Sequence, residues 1–169
     1  MYRLAFMIEK AKNSAFWLWV FNFVMLRVIP FNKPHGFWIT KITDNEIEIK
    51  MPYRKSNLNH IRGLHACGLA TVAEYTTGLM LISKIDPTKY RLIMQSLSVQ
   101  YFYQAKQSVF AQFSLTPDFL EKNVFQPLKT EPIIYVEPEI KLYDSTKNHV
   151  CTAKMRWQIK RWDAVKTKV

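Results

Sequence analysis

Glycine, cysteine and acidic residues are all scarce in this chain. Only four of its 169 residues are glycine, so few backbone sites take positive φ freely, and the loops should be short. Two cysteines, Cys67 and Cys151, exclude a disulfide framework and point to a reducing, cytoplasmic compartment. Both fall in segments that read as core. Acidic residues number 13 against 24 basic ones, a net charge of +11. No apolar run reaches the ~20 residues of a membrane-spanning helix. The nearest stretch, residues 14–26, is interrupted by Asn22 and ends at Arg27, and no small-residue cleavage site follows it.

What is present describes a packed globular protein. Hydrophobic residues make up 49% and aromatic residues 14%. A chain of this length fits one domain that buries roughly 70% of its unfolded surface. The basic excess calls for an anionic partner, with local groupings at Lys84-Lys89-Arg91 and Lys154-Arg156-Lys160-Arg161. No zinc spacing, aromatic RNA-binding signature or glycine-rich basic tail accompanies them, so nucleic acid is not indicated. A substrate carrying phosphates is the sharper reading, and a solvated basic surface the plainer one.

The first segment, residues 1–34, reads as helical. A helix over about residues 4–28 is expected to pack an aromatic face onto the domain. Membrane contact through this helix stays open but is not favoured. After Pro30 and Pro34 the hydrophobic period changes from 3.6 to 2, and residues 35–169 form the main domain. Residues 36–43 and 46–51 read as paired strands turning at Asp44-Asn45. Ile47, Ile49 and Met51 alternate with Glu46, Glu48 and Lys50, one face buried and one wet. Strand patterns return at 91–104 and 108–116. A connection containing Pro117, Pro127 and Pro132 leads to a final hairpin, 133–143 and 149–160, with its turn at Asp144-Ser145-Thr146-Lys147.

Between these strand groups lies an apolar helix over about residues 64–83, ~30 Å long at 1.5 Å per residue. Local hairpins on both sides of one buried helix predict an α+β fold, a single antiparallel sheet wrapped around that helix. Glu74 is the one carboxylate inside it. Burial raises a carboxyl pKa, which suits proton transfer or nucleophilic attack. The plainer alternative bonds Glu74 to a hydroxyl or a basic group in the core.

The stretch Asn59…Gly63-x-His65-Ala66-Cys67…Ala73-Glu74 resembles the Asn…Gly-x-x-His-Gly-Gly…Leu-Ala-Asp pattern of phenylacetate-pathway-type acyl-CoA thioesterases. His65 and Glu74 keep its nine-residue spacing. The wider sequence is similar to thioesterase-related hot-dog families of unknown function, over roughly residues 35–160. The resemblance implies a hot-dog fold, a curved antiparallel sheet around one long helix, with an extra N-terminal helix. It also implies hydrolysis of an acyl-CoA or acyl-carrier-protein thioester at a site between subunits, in a homodimer or tetramer. No resident cofactor is implied, since coenzyme A would belong to the substrate.

In that chemistry Glu74 acts as nucleophile or as base for water. The amides of Ala66 and Cys67, at the positive end of the helix, hold the oxyanion. Asn59 donates to the carbonyl or orients water, with loop capping as its alternative. His65, Gly63, Thr77 and Gly78 are the substrate-side candidates, and Gly78 and Met80 would shape an acyl pocket. Ala66 and Glu74 lie eight residues apart, ~12 Å along one helix, so they can act on one carbonyl only across two subunits.

Two departures stand out. Ala66-Cys67 replaces Gly-Gly, which narrows the backbone approach to a thioester. The acid is Glu rather than Asp, as in one hydroxybenzoyl-CoA thioesterase lineage. A non-catalytic acyl-binding or assembly module is therefore the alternative. His35, His60, His65 and Cys67 match no zinc spacing, and no metal is expected. Cys67 lacks a Cys-His-Asn set for a nucleophilic role, and Tyr101, Phe102 and Tyr103 read as strand packing.

Overall fold

Ser14 divides the N-terminal segment. In the computed structural model, which describes residues 2–166, helices α1 (Tyr2–Asn13) and α2 (Ala15–Val28) meet there. Ser14 is extended, and its hydroxyl accepts the Trp17 N–H at 3.4 Å as an N-cap. The single helix expected over residues 4–28 is thus two, because this serine starts a new helix instead of continuing the old one. The aromatic face is also not packed inward. Phe21, Asn22 and Met25 are buried, while Phe16 (65% exposed), Trp19 (51%) and Phe23 (38%) face out.

Asn22 interrupts the apolar run because it serves β1 (Trp38–Ile42). Its Nδ2 donates to the Ile39 carbonyl at 3.0 Å, and its Oδ1 accepts the Ile39 N–H at 2.7 Å. One amide side chain thus satisfies both backbone groups of an edge residue, as a neighbouring strand would. Between α2 and β1, a 3₁₀ turn (Pro30–His35) closes at Gly36, whose φ of 62° suits a residue without Cβ.

The sheet is antiparallel and seven-stranded, ordered β1-β2-β4-β6-β7-β3, with β5 also on β7. Its remaining strands are β2 (Glu46–Met51), β3 (Tyr90–Tyr101), β4 (Val109–Ser114), β5 (Ile133–Val136), β6 (Glu139–Asp144) and β7 (His149–Arg161). It curves round α3 (Ala66–Ile82), which packs on β2, β3, β4, β6 and β7. This is the hot-dog fold. Ile47, Ile49 and Met51 of β2 meet Ala153, Met155 and Ile159 of β7 in the same buried core as Val72, Met80 and Leu81 of α3. The alternation seen in the sequence is what permits this, since one strand face turns to the helix and the other to water.

Two segments depart from expectation. The proline-bearing connection after β4 is helical: α4 (Pro117–Leu120), a π turn (Glu121–Phe125) and α5 (Gln126–Thr130). Pro117 and Pro127 stand at the starts of α4 and α5, where a missing N–H costs nothing. Leu120, Val124 and Leu128 recur every four residues and are buried. The strand expected over 133–143 breaks at Glu137-Pro138, and β5 and β6 lie in succession along β7. The turn after β6 falls as expected, with the Asp144 carboxylate accepting the N–H groups of Thr146 and Asn148, each at 2.9 Å. The sheet therefore ends at β1, clipped by Asn22, and at β3, which among the described residues pairs on one side only.

Candidate active site

The loop before α3 is organised by Asn59. Its Oδ1 accepts the N–H groups of Ile61 (3.1 Å) and Gly63 (2.9 Å), closing a turn in which Arg62 takes φ of 59°. Gly63 is packed so closely on Gln104 that a Cβ would come within 2.7 Å of it. His65 then caps α3, its Nδ1 accepting the Cys67 N–H at 3.1 Å. This corrects two expectations. Cys67 is exposed rather than core, and its amide is engaged within the chain instead of pointing at a substrate. The Ala66 N–H meets no acceptor among the described residues.

Ala66 borders a cavity of about 330 Å³, with Asn59, Ile61, Leu69, Tyr101 and Phe102 around it. Tyr101 does more than pack in its strand. Its hydroxyl donates to the Ala66 carbonyl at 2.9 Å, tying the end of β3 to the start of α3. Burial holds its phenol pKa above the ordinary value. The only trace of this in the sequence is a polar-tipped aromatic at a strand end.

Glu74 lines a second, mostly apolar cavity of about 340 Å³. Tyr75, Gly78, Leu92 and Trp157 form one side of it. Leu4 of α1 and Met25 and Val28 of α2 form the other, followed by Ile29 and Asn32. The half-buried Glu74 carboxylate has no hydrogen-bond donor or cation beside it among the described residues. Burial alone raises its pKa. Burial, and then the Glu74 charge, also push the Tyr75 phenol up. Among the described residues no core partner of Glu74 is found, so the plainer reading of this residue gains no support there.

Thr77 does not reach that carboxylate. It is buried, its hydroxyl lies 3.2 Å from the Ala73 carbonyl and 3.1 Å from that of Glu74, and it accepts the Trp157 Nε1–H at 3.3 Å. Gly78 does line the cavity. A Cβ there would stand 2.8 Å from the Trp157 ring, so the close approach of α3 to β7 requires glycine. Met80 is fully buried and is not part of the wall. Asn32, which sequence reasoning missed, is 4% exposed and borders the cavity, and its side-chain amide meets no partner among the described residues. A polar residue between Pro30 and Pro34, just past an apolar helix, was its only signal.

The two cavities share no residue. Within one copy of the chain the helix start and the acid stay apart. The less buried residues of α3, Ala66, Cys67, Ala70, Thr71, Glu74, Gly78 and Ile82, follow helical spacing and leave one strip of mostly small side chains around the carboxylate. Among the described residues no group of three or more His, Cys, Asp or Glu is gathered to hold a metal. No helix there is long and apolar enough to cross a membrane.

Residues 18–159 match a family model described as Domain of unknown function (DUF4442). No curated protein matches the chain. Several solved structures do. A Pseudomonas aeruginosa protein of unknown function, described as a probable thioesterase, is 18% identical with a TM-score of 0.74, over 80% of this chain and 90% of that one. A Haemophilus influenzae thioesterase is 11% identical with a TM-score of 0.64, over 85% and 92%. A thioesterase enzyme from Staphylococcus aureus is 16% identical with a TM-score of 0.62, over 78% and 98%. At these identities the likeness is one of fold.

Proposed function

The chain belongs to the DUF4442 family, and from that premise and the Glu74 cavity we propose that it hydrolyses acyl thioesters, of coenzyme A or of an acyl-carrier protein. The observation that carries this reading is an unpartnered, half-buried carboxyl on the wall of an apolar cavity, with its pKa raised by burial. A carboxyl kept in that state is tuned toward the working pH of a base. Glu74 takes a proton from water as the water attacks the thioester carbonyl, or attacks the carbonyl itself. The oxyanion forms against the Ala66 N–H at the positive end of α3. On the water route, collapse breaks the carbon–sulfur bond, the proton held by Glu74 passes to the sulfur, and the thiol and the acid leave. On the direct route, collapse expels the thiol and leaves an acyl–Glu74 anhydride, which water hydrolyses to the acid and free Glu74. The basic surface attracts the phosphates of the carrier.

The reading requires two copies. Ala66 and Glu74 are ~12 Å apart on one helix, and the free edge of β3 offers the means to bring them together. Tyr101, at one end of β3, is bonded to Ala66, and Leu92, near the other end, borders the Glu74 cavity. Two β3 strands paired antiparallel about their midpoints bring each end of one beside the opposite end of the other. The helix start of one copy then adjoins the acid cavity of the second. A homodimer, alone or paired into a tetramer, is the proposed assembly.

The fold neighbours support the same chemistry. The solved variants of the Staphylococcus aureus protein replace a glutamine and a glutamate fifteen residues apart, the separation of Asn59 and Glu74 here. With its Oδ1 held by the loop, Asn59 keeps its Nδ2 for a carbonyl or a water. A non-catalytic acyl-binding module is the second reading, favoured by the Cys67 amide already engaged by His65.

Free-thiol release from a panel of short, long and aromatic acyl-CoAs, with Glu74→Gln alongside, tests the first reading. Glutamine keeps the shape and removes the charge. Turnover lost in the variant establishes a Glu74-dependent thioesterase, and equal turnover removes Glu74 from the mechanism. Binding of the acyl-CoAs without any release establishes the second reading.

A further inference from the structure

On α2, Phe16, Trp19, Val20 and Phe23 recur at i, i+3, i+4 and i+7 and so share one face. Trp38 of β1 meets the edge of Phe23 at 5.8 Å between centroids, and the rings of Phe16 and Trp19 beyond it stay open. The rings support one another: Phe16 stacks on Trp19 at 6.4 Å between centroids, and Trp19 meets Phe23 at 4.4 Å. Trp17 carries the surface across to Phe6 of α1, at 6.2 Å. Behind it, Phe21 and Met25 are in the core and Asn22 is bonded to β1, so the face is presented by a fixed helix. An outward apolar patch of this kind marks an interaction site.

The surrounding charge selects the partner. Arg27 continues the same face at its C-terminal end, and the Lys10 ammonium lies 5.6 Å from the centre of the Phe6 ring. Over residues 1–43 the only acid is Glu9, which is paired with Lys12. Aromatic rings edged by cations on a helix too short to span, ~21 Å for 14 residues, suit the headgroup level of a bilayer. The edge of β3, on another part of the molecule, is the surface suited to a second copy.

We propose that the α1–α2 hairpin docks on an anionic lipid surface, with Phe16, Trp19 and Phe23 entering the headgroup region and Lys10 and Arg27 taking the lipid phosphates. The opposite side of α2 supplies Met25 and Val28 to the Glu74 cavity, so docking sets that cavity beside the bilayer.

Flotation of the full chain with phosphatidylcholine vesicles, with and without phosphatidylglycerol, tests this. The wild type should float with the anionic vesicles and remain below with the neutral ones. The triple variant Phe16→Ser, Trp19→Ser, Phe23→Ser should lose about tenfold or more of its bound fraction while its circular dichroism and unfolding curve stay as in the wild type. Lys10→Gln with Arg27→Gln should reduce the preference for phosphatidylglycerol. Wild type that floats with neither vesicle, or a triple variant that floats as well as wild type, overturns the proposal. So does a wild-type oligomer that binds no vesicle and dissociates in the triple variant, which assigns the face to a second copy. Glu74→Gln should float like the wild type, and the triple variant should keep any turnover of a short, soluble acyl-CoA. Docking and thioester hydrolysis therefore stand or fall separately.

Discussion

Replacing Asn22 with leucine removes the side chain that stands in for a strand beside β1. Three hydrogen bonds are lost: two from Nδ2, to the Leu18 and Ile39 carbonyls at 3.0 Å each, and one from the Ile39 N–H to Oδ1 at 2.7 Å. Leu18 keeps its helical bond, but Ile39 is fully buried, and its N–H and C=O are left without partners. Each orphaned group costs about 1–3 kcal/mol. Leucine is close to asparagine in size, so little cavity forms, and its added apolar burial returns about 1–2 kcal/mol. At the middle of these ranges the net loss is about 2–3 kcal/mol, a large share of the ~5–15 kcal/mol that holds a domain together. Urea unfolding by linear extrapolation measures it. Asn22→Asp should fall at least as far, because its second oxygen faces the Ile39 carbonyl with no proton to offer. A loss below about 0.5 kcal/mol, the range of an inconsequential surface change, would refute the clip as the anchor of α2. Since α2 also walls the Glu74 cavity, acyl-ligand affinity should fall along with stability.

Three further outcomes follow from the site. Burial makes the folded state hold the Glu74 proton more tightly than the unfolded chain does. The stability linked to that proton is complete below the unfolded carboxyl value and is lost as pH rises through the folded one. Glu74→Gln should therefore melt higher than the wild type at neutral pH, with the gap closing toward about pH 4, a comparison that thermal scans across pH can make. His65→Ala removes the cap on α3, and denaturant titration should register a loss of about 1 kcal/mol. It also frees the Cys67 N–H for an oxyanion, so thiol release should not fall in this variant. Gly78→Ala drives a methyl against Trp157; overpacking costs about 1–3 kcal/mol and improved helix propensity returns about 1 kcal/mol. Calorimetry should show a lower melting temperature, and the acyl-CoA panel a shift to shorter chains.

The parts of the fold that were legible share one physical cause. In β2 and β7 one face is buried and the other wet, so the alternation of Ile47, Ile49 and Met51, and of Ala153, Met155, Trp157 and Ile159, is written into the residues themselves. Helix α3 was legible because it is apolar over more than four turns. Helix α2 was misread for a related reason. It is apolar on every side, so nothing in its pattern says which rings turn inward. Prolines at helix starts hid α4 and α5, and the serine that begins α2 hid the break before it.

At the candidate site, Glu74 stood out as a lone acid in an apolar helix. Asn32 and Tyr101 did not, because the topology brings them to α3 from distant parts of the chain. The engaged Cys67 amide depends on where one imidazole nitrogen points, which spacing does not record.

The two ends of the sheet differ in a way that bounds how large an assembly can grow. A sheet with two receptive margins can add neighbours without limit and tends toward filaments. Here Asn22 occupies the backbone groups of Ile39 at one margin, and among the described residues the β3 margin carries no such clip. Two chains joined at β3 would present outward two margins, each clipped at Ile39. Strand-by-strand growth would halt at the pair, leaving any tetramer to form through other faces, and one asparagine would serve as both the fastening of a helix and the stop on polymerisation.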